Sequence, residues 1–234
     1  MLHLFKNYKH SIPIIFSHIE NQYQYELSSQ NKSFVILFTD FDYHFIAGNI
    51  PKSPEEILIE MRKYIKKHSK KEFILFAPNK KWENYLRELF KSINGVVDTR
   101  VSYKFDKKRF IEIHDRYKEK YNVDFEISKD GRSLKPFLQS KIKKNLEVIS
   151  FANAFMIGSG HAEIDVWTRE DHRKQGLAFE ASLQLIKRLL RENLIPNWTT
   201  WAAKKESQML ANKLGFYDGE QIPAFIWVEQ FGLF

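Results

Sequence analysis

The chain contains no cysteine. Disulfides, thiolate-bound zinc and a thiol nucleophile are therefore excluded, and the usage fits a reducing compartment. Glycine and proline are sparse, 9 and 7 residues among 234, and no low-complexity linker interrupts the sequence. No run approaches the roughly 20 apolar residues of a membrane helix. The apolar cluster nearest the start, Ile12-Pro13-Ile14-Ile15-Phe16, is too short and wrongly flanked for a secretory signal. These absences set the expectation of a soluble, cytoplasmic protein with no membrane partner. The eight histidines are scattered and form no metal constellation, so no metal is expected.

What is present is globular: 43% hydrophobic and 15% aromatic, enough for one large domain or two small ones. The 37 Lys+Arg against 29 Asp+Glu leave a formal charge of +8. A basic balance favours anionic partners, nucleic acid or a polyanionic cofactor, unless it only solubilises the surface. Lysine pairs at Lys66-Lys67, Lys70-Lys71, Lys80-Lys81, Lys107-Lys108 and Lys143-Lys144 fall at helix ends or turns, where lysine suits the helix dipole. No nucleic-acid-binding motif accompanies them, so a nucleic-acid partner is the lesser reading.

Along the chain, residues 1–30 show no clear period. Phe34 to Phe38 reads as a buried strand. Ser53, Pro54 and Glu56 make a helix start with a capping box. Glu72 to Ala77 is a strand, Lys81 to Ile93 a helix, Arg100 to Phe105 a strand, and Asp106 caps a helix to about Lys120. Asp130-Gly131 marks a turn, Leu134 to Asn145 is read as a helix, and Glu147 to Ile157 with Ala162 to Thr168 as a hairpin. Phe179, Leu183, Ile186 and Leu190 keep helical spacing. Trp198 to Ala202 is a strand, Glu206 to Leu214 a helix stopped by Gly215, and Phe225 to Val228 a final strand. The pattern predicts an α/β (α+β) protein with a domain over 1–125 and another over 126–234. Asp40 and Asp42 read as loop carboxylates, His114-Asp115 as a solvated helix face, and Trp198, Trp201 and Trp227 as core.

One joint stands out: Arg173-Lys174-Gln175-Gly176-Leu177-Ala178 lies between an apolar strand and an amphipathic helix. A glycine there lets the backbone turn and approach a ligand. The following helix start aims N–H groups and the positive end of its dipole into the turn, which suits a diphosphate.

This R-x-x-G-x-A string, with Ala162 to Thr168, Pro196-Asn197-Trp198 and Leu210 to Phe216 in order, resembles the GNAT superfamily of acyl-CoA-dependent N-acetyltransferases. The nearer resemblance is to its zwittermicin A resistance-like branch. It covers about residues 147–216, and Phe45 to Asn49 carries only a loose likeness further upstream. The resemblance implies a splayed, mixed sheet flanked by helices, with the N-terminal α/β half packed beside it and contributing to the acceptor site. It implies acetyl-CoA as cosubstrate. The pyrophosphate would lie on Arg173, Lys174, Gln175, Gly176, Leu177 and Ala178, the pantetheine arm against Val166, Trp167 and Thr168, and Ser207 beside the cofactor. Glu163, then Asp165, are the implied candidates for the base, two apart on one strand and so on one face. A main-chain N–H, that of Trp167, is the expected oxyanion donor. The tyrosine that often protonates the departing thiolate is replaced by Ala211, which leaves water or Tyr217 for that role. The implied reaction is direct acetyl transfer to a primary amine of a small, polyamine-like or aminoglycoside-like molecule in a ternary complex. Non-catalytic acyl-CoA binding is the alternative, and a homodimer is left open.

Overall fold

The structure is a computed structural model of the chain, and it describes residues 1–28, 33–129 and 131–229. After a short 3-10 turn come α1 (Ile12–Ile19), β1 (Tyr25–Leu27), β2 (Phe34–Thr39), β3 (Tyr43–Gly48), α2 (Glu55–His68), β4 (Glu72–Phe76) and α3 (Lys80–Ser92). They are followed by β5 (Val96–Lys104), α4 (Lys107–His114), β6 (Asp124–Ser128), β7 (Phe137–Lys144), β8 (Glu147–Gly158) and β9 (His161–Thr168). The last elements are α5 (Leu177–Arg191), β10 (Ile195–Trp201), α6 (Lys205–Lys213) and β11 (Tyr217–Val228). The architecture is mixed α/β, with mixed sheets flanked by helices.

The chain divides into two compact units, one of Met1–His10, Tyr23–Arg100 and Ile222–Phe234, the other of Ser11–Gln22 and Val101–Gln221. This division differs from the single cut expected between 125 and 126. The end of the chain returns to the first unit because Phe225 to Val228 pair with β4, and a pairing so distant in sequence leaves no mark on composition.

In the first unit the strands lie in the order β1-β2-β3-β4-β11. β2 and β3 form an antiparallel hairpin, and β3 and β4 run parallel. Phe34, Ile36, Phe73 and Leu75 bury against Ile57, Met61 and Ile65 of α2 and Trp82, Leu86 and Phe90 of α3. The predicted capping box is present before α2: Ser53 N–H donates to Glu56 Oε1 at 3.4 Å, and Glu55 N–H to Ser53 Oγ at 3.3 Å. Asp42 is an ion-paired loop carboxylate, 2.7 Å from Lys70 Nζ. Trp227 is core, 2% exposed.

In the second unit the order is β5-β10-β9-β8-β7-β6, with β9–β10 parallel and β6 to β9 an antiparallel meander. Leu177, Leu183, Ile186 and Leu189 of α5 bury against Leu138, Ile142, Ala152, Ala154, Ala162 and Ile164. Because side chains alternate along a strand, Ala162 and Ile164 facing α5 put His161, Glu163 and Asp165 on the other face of β9. α1 covers the hairpin end on that second face, where Gly158 pairs with His161. A Cβ at Gly158 would stand 2.4 Å from main-chain atoms of Phe16 and Ser17. Gln22 ties the segment down: its Nε2 donates to Phe155 O at 3.0 Å, and its Oε1 accepts from Ile157 N–H at 2.6 Å.

Several expectations change. The segment 134–145 holds a strand, β7, in place of a helix. Leu138, Ser140 and Ile142 all face α5, and Ser140 Oγ donates to Ala181 O at 2.8 Å; a buried serine in the middle hid the period of two. α4 ends at His114, not near Lys120. Tyr117 instead reaches Glu180 Oε2 of α5 at 2.7 Å. His114 is buried at 8% exposure between Phe110 and Phe179, so it does not lie on a solvated face. Of the Asp130-Gly131 turn, Asp130 lies outside the described residues.

Gly158→Ala should cost about 2–3 kcal/mol of unfolding free energy, because the new methyl meets main chain that must move; urea denaturation measures it. His18, fully buried on α1, is lowered to about 4 by burial, against the opposing bond from its Nδ1 to Ile14 O. The unfolded chain therefore takes up a proton near pH 6.5 that the folded chain refuses, and stability falls as pH drops below that value. Between pH 7 and pH 5 the loss should be about 2 kcal/mol, and a His18→Gln variant should lack that part of the slope.

Candidate functional site

Strands β9 and β10 begin as parallel partners and then part. Their register runs Ile195 with His161, Pro196 with Ala162 and Asn197 with Glu163, and stops there. On its other edge β9 stays paired with β8 as far as Thr168 opposite Ser150. Arg169 N–H donates to Ile149 O of β8 at 2.9 Å. Since main-chain groups alternate sides along a strand, Trp167 also points its N–H and C=O toward β8, while Val166 and Thr168 point theirs toward the gap. The expected oxyanion donor is corrected accordingly: the Trp167 N–H faces the wrong edge. At the mouth of the gap Glu163 Oε1 accepts from Thr199 N–H at 3.1 Å and from the Thr199 hydroxyl. The Glu163 residue is only 3% exposed.

The glycine joint follows β9 directly. Arg169 is held between Glu147 and Asp171, each at 2.8 Å. The Asp171 carboxyl is held down at about 2 by Arg169 and, next, by His172. Lys174 and Gly176 take positive φ of 62° and 86°, which swing the chain into α5. Among the described residues no side chain caps the start of α5, and the first helical bond runs from Glu180 N–H to Gly176 O at 3.0 Å. The N–H groups of Leu177, Ala178 and Phe179 precede it, so they project from the helix start. Tyr121 Oη donates to Gln175 O at 2.8 Å. In a trans peptide that turns the Gly176 N–H the opposite way. A Cβ built on Gly176 would meet no atom of the described residues within 4 Å. Uncapped donors, open space and the exposed cations Arg173 and Lys174 together fit a diphosphate group.

Most of the predicted cofactor residues therefore share one place: Val166, Trp167 and Thr168 along the gap, and Arg173 to Ala178 at its end. Trp167 is 41% exposed and stacked on Phe151, ring centroids 5.4 Å apart. Thr168 Oγ1 lies 2.8 Å from Ser150 Oγ, and Thr168 O accepts from Arg173 Nε at 3.3 Å. Asp165 is exposed on the face away from α5. Desolvation by neighbouring protein still raises its carboxyl above the usual aspartate range, with the Val166 N–H pulling the other way. Two predicted residues stand differently. Tyr217 opens β11, with β5 and β10 between it and β9, and the Arg109 guanidinium lies 5.2 Å over its ring. Three strand spacings, about 14 Å, keep it from the β9 carboxylates. The Ser207 hydroxyl accepts from Trp198 Nε1 at 3.2 Å, so its visible work is to hold a core tryptophan. Ala211 is fully buried in the core beneath α6.

Sequence reasoning missed Thr199, Tyr121 and Glu180. The Glu180 carboxylate, fully buried in the first turn of α5, accepts from Tyr117 Oη, from Lys120 N–H at 3.1 Å and from Gln184 Nε2 at 3.1 Å. An acidic residue in an apolar helix face was the one available signal.

Residues 137–225 match the family model for GNAT acetyltransferase. That segment, under half of the chain, is similar to a GNAT acetyltransferase. The chain is 24% identical to an uncharacterized N-acetyltransferase, YdfB, of Bacillus subtilis over 205 residues, 79% of this chain and 77% of the relative. In three dimensions it is similar to a GCN5-related N-acetyltransferase-like protein from Streptococcus suis, with TM-score 0.65, 22% identity, and 95% and 96% of the two chains covered. A GCN5-related N-acetyltransferase from Kribbella flavida gives 0.61 at 13% identity, covering 93% and 96%. At these identities the structural likenesses establish the fold. The match to GNAT acetyltransferase spans the parting strands and the glycine joint together. The family's fold is thus confirmed, whereas the zwittermicin A resistance-like branch is not singled out by any of these relatives.

Gly176→Ala should cost about 1 kcal/mol in stability, from strain at positive φ alone. Its added methyl enters the open space at the joint, so calorimetry with CoA should show affinity falling by more than that strain accounts for.

Proposed function

We propose that the GNAT domain carries an acetyl group from acetyl-CoA to a primary amine of a small molecule, by direct attack in a ternary complex. The observation that carries this reading is the early end of β9–β10 pairing just ahead of an uncapped glycine joint. When bound, acetyl-CoA supplies a thioester whose carbonyl an amine can attack. The N–H groups from Lys174 to Ala178, with Arg173, would hold its diphosphate. Val166 and Thr168 would offer main-chain donors and acceptors to the arm as an added strand does, and the Val166 N–H faces the gap where an oxyanion donor is needed.

Of the two candidate carboxylates, Asp165 is the better base. It is open to solvent on the free face, and its raised carboxyl binds a proton more readily than an ordinary aspartate. Glu163 is buried and committed to Thr199. With Ala211 in the core, the departing thiolate would take its proton from solvent. The same residue favours a second reading, acyl-CoA binding without turnover. The acceptor class suggested by the resemblance is a small polyamine-like or aminoglycoside-like molecule.

Calorimetric titration with acetyl-CoA, followed by thiol release on a panel of such amines, tests both readings; binding with no release on any amine selects the second. Under the first, Asp165→Asn should lower kcat about 100-fold or more. The wild-type rate should fall as pH drops through the raised Asp165 value, since the base form exists only above it.

A further inference from the structure

We infer that Glu163 is the residue that keeps β9 and β10 apart: it is a positioning group that sets the slot between them and does not touch the acceptor. The slot's occupant rests on the function proposed above, but the separation of the strands does not. Extending the register past Asn197–Glu163 would bring Thr199 opposite Asp165, with its N–H available to a main-chain carbonyl of β9. Instead the Glu163 carboxylate takes that N–H at 3.1 Å and the Thr199 hydroxyl with it. A side chain has entered the ladder where the neighbouring strand's carbonyl would stand.

Three features make the substitution stable. First, Thr199 loses no hydrogen bond when the strands part, because the carboxylate replaces the missing acceptor. A buried N–H without one would favour closing the pair. Second, the carboxylate is itself buried, at 3% exposure, and a buried charge needs donors; the two from Thr199 converge on one oxygen. Third, Glu163 stands at the last paired position, so its side chain begins where the strands are still in contact and ends where they are not. Pairing can resume beyond it only if the carboxylate is expelled.

The consequence is a division of labour between two carboxylates on one face of β9. Glu163 holds the opening, and Asp165, one step further along it, stands beside the opened edge. A base would need its carboxylate toward the acceptor, whereas the Glu163 oxygen is turned to the neighbouring strand.

The test compares Glu163→Ala, Glu163→Gln and Thr199→Val in the full chain. Two readouts are used: CoA affinity by calorimetry, and amide hydrogen exchange over 164–168 and 198–200 in the free protein. Glu163→Ala should weaken CoA binding about tenfold or more and slow exchange at Val166, whose N–H faces the gap, as the strands close on each other, while Thr199, bonded in either state, stays protected. Glutamine keeps an acceptor oxygen at the same reach, so Glu163→Gln should regain most of the lost affinity and restore fast exchange. Thr199→Val, which removes only the hydroxyl donor, should show a smaller shift in the same direction and covers the case of a Glu163→Ala chain that fails to fold. If Glu163→Gln binds CoA as the wild type does but loses about 100-fold in kcat along with the acid limb of its pH profile, Glu163 is the base and the inference is overturned. Wild-type CoA affinity together with unchanged exchange in Glu163→Ala also overturns it. If the wild type binds no CoA while the exchange differences appear, the cofactor reading falls and the role of Glu163 stands.

Discussion

Two parallel strands that separate inside a protein must find new partners for the main-chain groups they uncover, and much of the second unit answers that demand. β9 can leave β10 because β8 holds its other edge along its whole length. α5 packs across β7, β8, β9 and β10 alike, so the parting strands share one helical backing. Where the edges open, carboxylates stand beside the exposed N–H groups: Glu163 at Thr199 and Asp165 at Val166. The glycine joint then follows within a few residues, so one short stretch carries both the opened edge and the uncapped helix start.

The net positive charge acquires a more local meaning beside this geometry. Arg169 is already neutralised by Glu147 and Asp171, and Asp171 keeps its charge to far below neutral pH. That knot fixes the first half of the joint and contributes little net field. The field in the turn comes from main-chain dipoles and from Arg173 and Lys174, which are exposed. Many lysines elsewhere are spent on surface ion pairs, such as Lys141 and Lys143 with Glu126. A total charge of +8 therefore overstates how basic any one face of the protein is.

What the sequence disclosed was local. The helix starts at Ser53 and Asp106, the strands at 34–38 and 72–77, and the glycine joint all depend on neighbours in the chain, and those signals survive in a single sequence. What it concealed was distant. β7 looked helical because Ser140 is buried through a bond to α5 and breaks the alternation. α1 lies in a stretch without a period because its packing surface is a hairpin some 140 residues later. The spacing of Glu163 and Asp165 put both carboxylates on one face, but nothing in it could distinguish them: the difference is Thr199, 36 residues on. Tyr217 was chosen for its chemistry, and the order of the strands carried it away from β9.

The glycine at 158 sits where a helix from the start of the chain presses its backbone against a strand from the middle. During synthesis α1 leaves the ribosome long before β8 exists, and its apolar side, including Ile14 and Ile15, must wait for a surface to cover. The second unit therefore closes by a long-range return, the kind of step that slows folding and exposes an intermediate to association. The vulnerability this arrangement builds in falls while the chain is being made, when that apolar side stands uncovered.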